Sequence, residues 1–112
     1  MKKGKEEILL MLDYLQGPIW TSNIETGEPF TEVDIVNEDP IVRELNRKCG
    51  QMYSSYYYFD HKDLPCYFDK EAQKREKEIM LDLIAKLTAR LEEINDGSYV
   101  IKDLLTDDYK KL

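Results

Sequence analysis

FDKEAQKREKEIMLDLIAKLTARLEEINDG, residues 68–97, decides how the rest of the chain must be read. Ile79, Met80, Leu83, Ile84, Leu87, Leu91 and Ile94 recur at steps of one, three or four, which gathers them on one stripe of a helix. Asp69 is placed to cap the first free backbone amides, and Asn95-Asp96-Gly97 supplies a stop. A helix over 70–95 would be about 39 Å long at 1.5 Å per residue. No other segment offers so much apolar surface in one piece.

Working back from it, Asp39-Pro40 opens a second helix, with Asp as N-cap and Pro where its missing amide costs nothing. Ile41, Leu45, Cys49, Met52, Tyr56 and Phe59 step by four, four, three, four and three, with Val42, Tyr53 and Tyr57 widening the stripe. This predicts a helix over 40–59, with Gly50 admitting a close neighbour. Pro65 then biases Leu64 away from helix. Lys5–Gln16 reads as a short amphipathic helix carrying Ile8, Leu9, Met11, Leu12 and Leu15, ended by Gly17-Pro18.

Between these helices, PIWTSNIETGEPFTEVDIVNE (18–38) has no helical period. It reads either as a small hairpin, Ile19–Ile24 against Phe30–Val36, or as an irregular loop pinned by Trp20, Phe30 and Ile35. Downstream of the long helix, Ser98–Ile101 looks extended, and Thr106–Leu112 reads as a last helical turn with Leu104, Leu105 and Tyr109 docking. The expected fold is therefore mainly α, one domain over 1–112: an antiparallel bundle of three main helices (5–16, 40–59, 70–95), an acidic loop or hairpin at 18–38, and a short C-terminal element.

Charge narrows the function. The 112 residues carry a formal net charge of −7, and seven acids (Asp13, Glu25, Glu28, Glu32, Asp34, Glu38, Asp39) fall between Asp13 and Val42 with no Lys or Arg. A second acidic concentration spans Glu92 to Asp108. Such fields repel nucleic acid and attract basic proteins. No apolar run is long enough to span a membrane, and the acids in MKKGKEEILLMLDYLQG argue against a signal peptide. A cytoplasmic protein with Cys49 and Cys66 as reduced thiols is the expectation.

No catalytic constellation emerges, and no cofactor or metal is expected. His61, the only histidine, stands with Asp60 and Asp63 in a DHKD that reads as a solvated loop. No activating base or oxyanion hole accompanies Cys66, and the five glycines form no phosphate-binding motif. The segment MYSSYYYFDHKDLPCYF (52–68) is dense in aromatics. Four consecutive rings cannot all face one core at 100° per residue, so Tyr58 and either Tyr57 or Tyr53 should point outward.

The stretches LQGPIW (15–20), MYSSYYYFD (52–60) and LEEINDGSYVIKD (91–103) resemble the small acidic immunity proteins of bacterial contact-dependent and polymorphic toxin systems. The resemblance implies a cognate toxin bound one-to-one, and no catalysis. The residues expected to meet a basic, nuclease-type partner are Trp20, Glu25, Glu28, Phe30, Glu32, Asp34, Glu38, Tyr57, Tyr58 and Asp60. Two other readings stay open: a homodimerising adaptor with the Tyr-rich helix as its seam, and a phage-type inhibitor mimicking nucleic acid.

Overall fold

The computed structural model describes residues 6–12, 17–58 and 67–112, with the side chains of Tyr58 and Tyr67 excepted. In chain order the elements are β1 (Glu6–Leu10), α1 (Asp34–Asn37), α2 (Pro40–Ser54), β2 (Tyr57–Tyr58), β3 (Tyr67–Phe68), α3 (Lys70–Arg75), α4 (Lys77–Glu93), β4 (Tyr99–Asp103) and α5 (Thr106–Lys110). This overturns the three-helix antiparallel bundle. Among the described residues, five helices accompany a parallel strand pair and a short antiparallel one, and the element that moves class is the first.

Residues expected to begin a helix at 5–16 form β1, paired in parallel with β4 so that Glu6 faces Tyr99, Ile8 faces Ile101 and Leu10 faces Asp103. Ile8 and Leu10 are buried while Glu7 is exposed, a period of two. The unbroken apolar run Ile8–Leu12 satisfies both the helical and the strand period, so pattern alone could not arbitrate. Pairing did. β1 is bonded on its other edge too: Trp20 N–H donates to Leu9 O at 2.9 Å, Met11 N–H to Pro18 O at 2.8 Å, and Leu10 bridges Ile19. A strand held along both edges gains more hydrogen bonds than an isolated helix of this length could keep.

The long helix is interrupted at Glu76, whose backbone (φ −99°, ψ 10°) leaves helical geometry and divides 70–95 into α3 and α4. Glu76 N–H still donates to Ala72 O, and Met80 N–H to Glu76 O, both at 3.0 Å, so the interruption is a kink rather than a gap. At the kink the Glu76 carboxylate accepts a 2.7 Å hydrogen bond from the buried Tyr56 hydroxyl. That bond and burial both raise the Tyr56 pKa, burial most. Met80, Ile84, Leu87 and Leu91 form the buried stripe of α4. Both anticipated caps are made: Val42 N–H donates to Asp39 Oδ2 at 2.9 Å, and Ala72 N–H to Asp69 Oδ1 at 3.0 Å.

α2 stops at Ser54, five residues short of the expected end at 59, because Tyr57-Tyr58 turns into β2 and pairs antiparallel with β3. Its buried face is also rotated. Val42, Asn46, Cys49 and Gly50 face inward, whereas Ile41 is 49% exposed and Leu45 only half-buried. The core thus joins Val42 and Cys49 of α2 to the α4 stripe, Ile8 and Leu10 of β1, Ile19, Val36, Tyr99, Leu105 and Tyr109. Leu104, expected to dock with Leu105, is 42% exposed.

Arg90 of α4 clamps the start of α2. Its Nη2 lies 2.7 Å from Asp39 Oδ1 and its Nε 3.1 Å from Oδ2, with the Asp39 side chain only 9% exposed. The Arg90 hydrogen bond, above all, holds the Asp39 carboxyl below its ordinary value of 3.8. A depressed carboxyl contributes stability that is present above its unfolded value and lost as pH falls through its folded one. Asp39→Asn should therefore unfold at lower denaturant concentration than the wild type at pH 7. That gap should close as pH is taken below about 4. Urea midpoints for both proteins across that range check this; a gap that persists at low pH would remove Asp39 from the account.

Candidate functional site

The segment 18–38 is neither a ladder of strands nor a loop pinned by its largest side chains. Asn23 builds its turn: Asn23 Oδ1 accepts from the Glu25 and Thr26 amides at 2.8 and 3.3 Å, while Gly27 N–H donates to Asn23 O at 2.8 Å. One antiparallel bridge, Ser22 to Pro29, and a 2.9 Å bond from Phe30 N–H to Thr21 O complete the return. A second knot follows. Asn37 Oδ1 accepts from the Thr31 amide (3.1 Å) and hydroxyl (2.7 Å), and Asn37 Nδ2 donates to Thr31 O at 2.8 Å.

What fastens this segment to the body is a polar side chain in the core. Asn46 of α2 is fully buried; its Oδ1 accepts from Ile19 N–H at 3.0 Å, and its Nδ2 donates to Ser22 Oγ at 2.8 Å and Gly27 O at 2.9 Å. The amide thus satisfies loop backbone that has no strand partner. Arg43 Nε donates to Asn37 O at 2.7 Å, and Gln51 Nε2 to Ile24 O at 3.2 Å, so one helix holds the loop along its length. Ile19, Val33 and Val36 are the apolar pins.

Trp20, Phe30 and Ile35, expected as those pins, face outward instead, at 38%, 58% and 38% exposure. Each lies close in sequence to a residue that does turn in; for Trp20 that residue is Ile19, which bridges Leu10 of β1. The loop therefore displays large apolar side chains while its smaller aliphatics anchor it.

The other expected site residues divide into groups. Glu25, Glu32, Asp34 and Glu38 are exposed. Glu28 is partly neutralised by Arg43, whose Nη2 lies 3.5 Å from its carboxylate. Glu32 and Asp34 line a groove of about 200 Å³ with Ile35, Glu6 and Asp96, which brings the C-terminal acidic region to the loop. The Ser98 hydroxyl and then its amide hold the Asp96 carboxyl below its ordinary value, so it stays charged. Tyr57 is not a free outward ring: it is half-buried, 4.9 Å from the Phe68 ring and 5.8 Å from that of Tyr53. The Tyr58 backbone belongs to β2; its side chain and Asp60 lie outside the described residues, as do His61, Asp63 and Cys66.

Cys49 is a free, buried thiol whose pKa desolvation pushes up to about 12, so it is protonated and inert as a nucleophile. Among the described residues, no group of three or more His, Cys, Asp or Glu is arranged to hold a metal ion, and no helix is long and apolar enough to cross a membrane. Asn46 and Asn37, which organise the site, were not foreseen. The available signal was an asparagine set between Val42 and Cys49 on the core side of α2, a polar residue that must be satisfied if it is buried.

No protein-family model, curated protein or solved structure matches the chain.

Proposed function

We propose that this protein is a non-catalytic inhibitor, an immunity protein that neutralises a cognate bacterial toxin in the cytoplasm by covering a cationic, nuclease-type surface with segment 18–38. The observation that supports this reading is pre-organisation. Asn46, Asn37 and Arg43 hold an irregular loop in one shape from beneath, while Glu25, Glu32, Asp34, Glu38, Trp20 and Phe30 stay exposed on it. A loop already ordered loses little entropy on binding, which favours affinity over mere solubility as its use. Exposed carboxylates steer a basic partner, and the two aromatics supply desolvated contact area.

The test is protection of cells that express the product of the reading frame adjacent to this chain's own, the expected toxin. Wild type should restore growth. A variant with Glu25, Glu32, Asp34 and Glu38 all changed to Lys should lower survival at least 100-fold with an unchanged helical circular-dichroism signal. Glu28 is left in place because its partner is Arg43. Full protection by the charge-reversed variant would sink the electrostatic reading, and a neighbouring product that harms no cell would sink the immunity role.

A further inference from the structure

The rotation of α2 has a second result, on the side of the helix away from the loop. Between α2 and α4 runs a groove of about 580 Å³ whose floor is Pro40, Ile41, Leu45 and Ala89. Ile41 is half-exposed there. The two helices are antiparallel, with Asp39 at the start of α2 bonded to Arg90 near the end of α4.

We infer that a second copy of this chain seats on this groove, making a twofold dimer with an α2–α4 seam. The charge on its rim selects that occupant. Glu44 stands on the α2 side and Lys86 on the α4 side. Arg90, also at the groove, is answered within the chain by Asp39 and Glu93. A twofold patch is self-complementary, so opposite charges on the two sides of its axis meet each other across the interface. Turning one copy over so that its α2 lies along the partner's α4 sets Glu44 against Lys86 twice. The two acids and two bases of the rim, Glu44 and Glu93 with Lys86 and Arg90, balance, so this face offers a basic toxin no net attraction, unlike the acidic loop.

The exchange costs little. Glu44 is paired with Arg47, and Lys86 with Asp82 at 2.8 Å, each within its own helix and at substantial exposure. Such pairs contribute little in water and are readily traded for intermolecular ones. The face is two helices of 15 and 17 residues, about 22 and 25 Å long. That lies near the small end of specific interfaces, so the dimer is expected to be weak and reversible.

Sedimentation equilibrium of the purified full chain from about 1 to 500 μM should show a monomer–dimer equilibrium. Ile41→Glu should weaken it at least 30-fold, and Ala89→Arg should do the same from the other helix. Both positions are exposed in the monomer, and circular dichroism checks that each variant folds. Glu44→Lys and Lys86→Glu should each weaken association about tenfold, and the two together should return it to within about threefold of wild type. A monomer at every concentration overturns the inference. So does a dimer that Ile41→Glu and Ala89→Arg leave intact, or a charge-swapped double variant no tighter than the single ones.

Discussion

Asn46→Ala should lower the free energy of unfolding by about 3 kcal/mol, a large share of the roughly 5–15 kcal/mol that a domain of this size has. The mutation removes little apolar burial, so the loss is polar. Ile19 N–H and Gly27 O each lose their Asn46 partner, and a buried backbone group left without a bond costs about 1–3 kcal/mol. Ser22 keeps its bond to Ile19 O, which limits the damage at that hydroxyl. In thermal unfolding this corresponds to a fall in Tm of roughly 10–20 °C. Asn46→Leu should be no milder, because filling the space does not satisfy the backbone. A loss under about 1 kcal/mol in urea titration would mean that the loop's polar groups reach water without Asn46, and the pre-organised surface would lose its basis.

Gly27→Ala should cost a similar amount, about 3 kcal/mol, by a different route. Gly27 has φ +76°, a conformation that costs a residue with a Cβ about 1–2 kcal/mol. A Cβ built there would lie 2.0 Å from the backbone carbonyl oxygen of Arg43, which a helix cannot move aside. The loop must lift off α2. Gly97 provides the control: its φ is +95°, but an added Cβ meets nothing within 4 Å, so Gly97→Ala should cost only the conformational part. Because Gly27 O is an acceptor for Asn46 Nδ2, the double variant should lose at least about 1 kcal/mol less than the sum of the singles. Strict additivity in that cycle would show that the two residues do not hold the same loop.

These two substitutions sit where local pattern says least. Gly27 could be read as a turn glycine from Glu25-Thr26-Gly27-Glu28, but its closeness to Arg43 could not, since nothing in a turn signal says which helix the turn will lie against. The apolar stripe that begins at Ile41 gives no place to Asn46, a polar residue in the interior of the same helix. Once the loop needs donors and acceptors, burying Asn46 outweighs burying Ile41, and the helix turns accordingly. The same trade leaves Ile41 on the surface.

What the sequence determined by itself were features set within a few residues: the capped starts at Asp39-Pro40 and Asp69, the apolar stripe from Met80 to Leu91, the extended run after Gly97, and an acidic, aperiodic segment at 18–38. Each depends on side chains acting on neighbouring backbone or on neighbours one helical turn away. Only the tertiary structure decided that 6–10 is a strand, that α2 ends at Ser54 and faces inward through Asn46, and that Glu32 and Asp34 share a groove with Asp96. Those outcomes hang on hydrogen bonds between residues far apart in the chain, such as Glu6 N–H to Ser98 O or Ile19 N–H to Asn46 Oδ1. When a short apolar run fits two periods equally well, the remote partner that satisfies its backbone chooses between them.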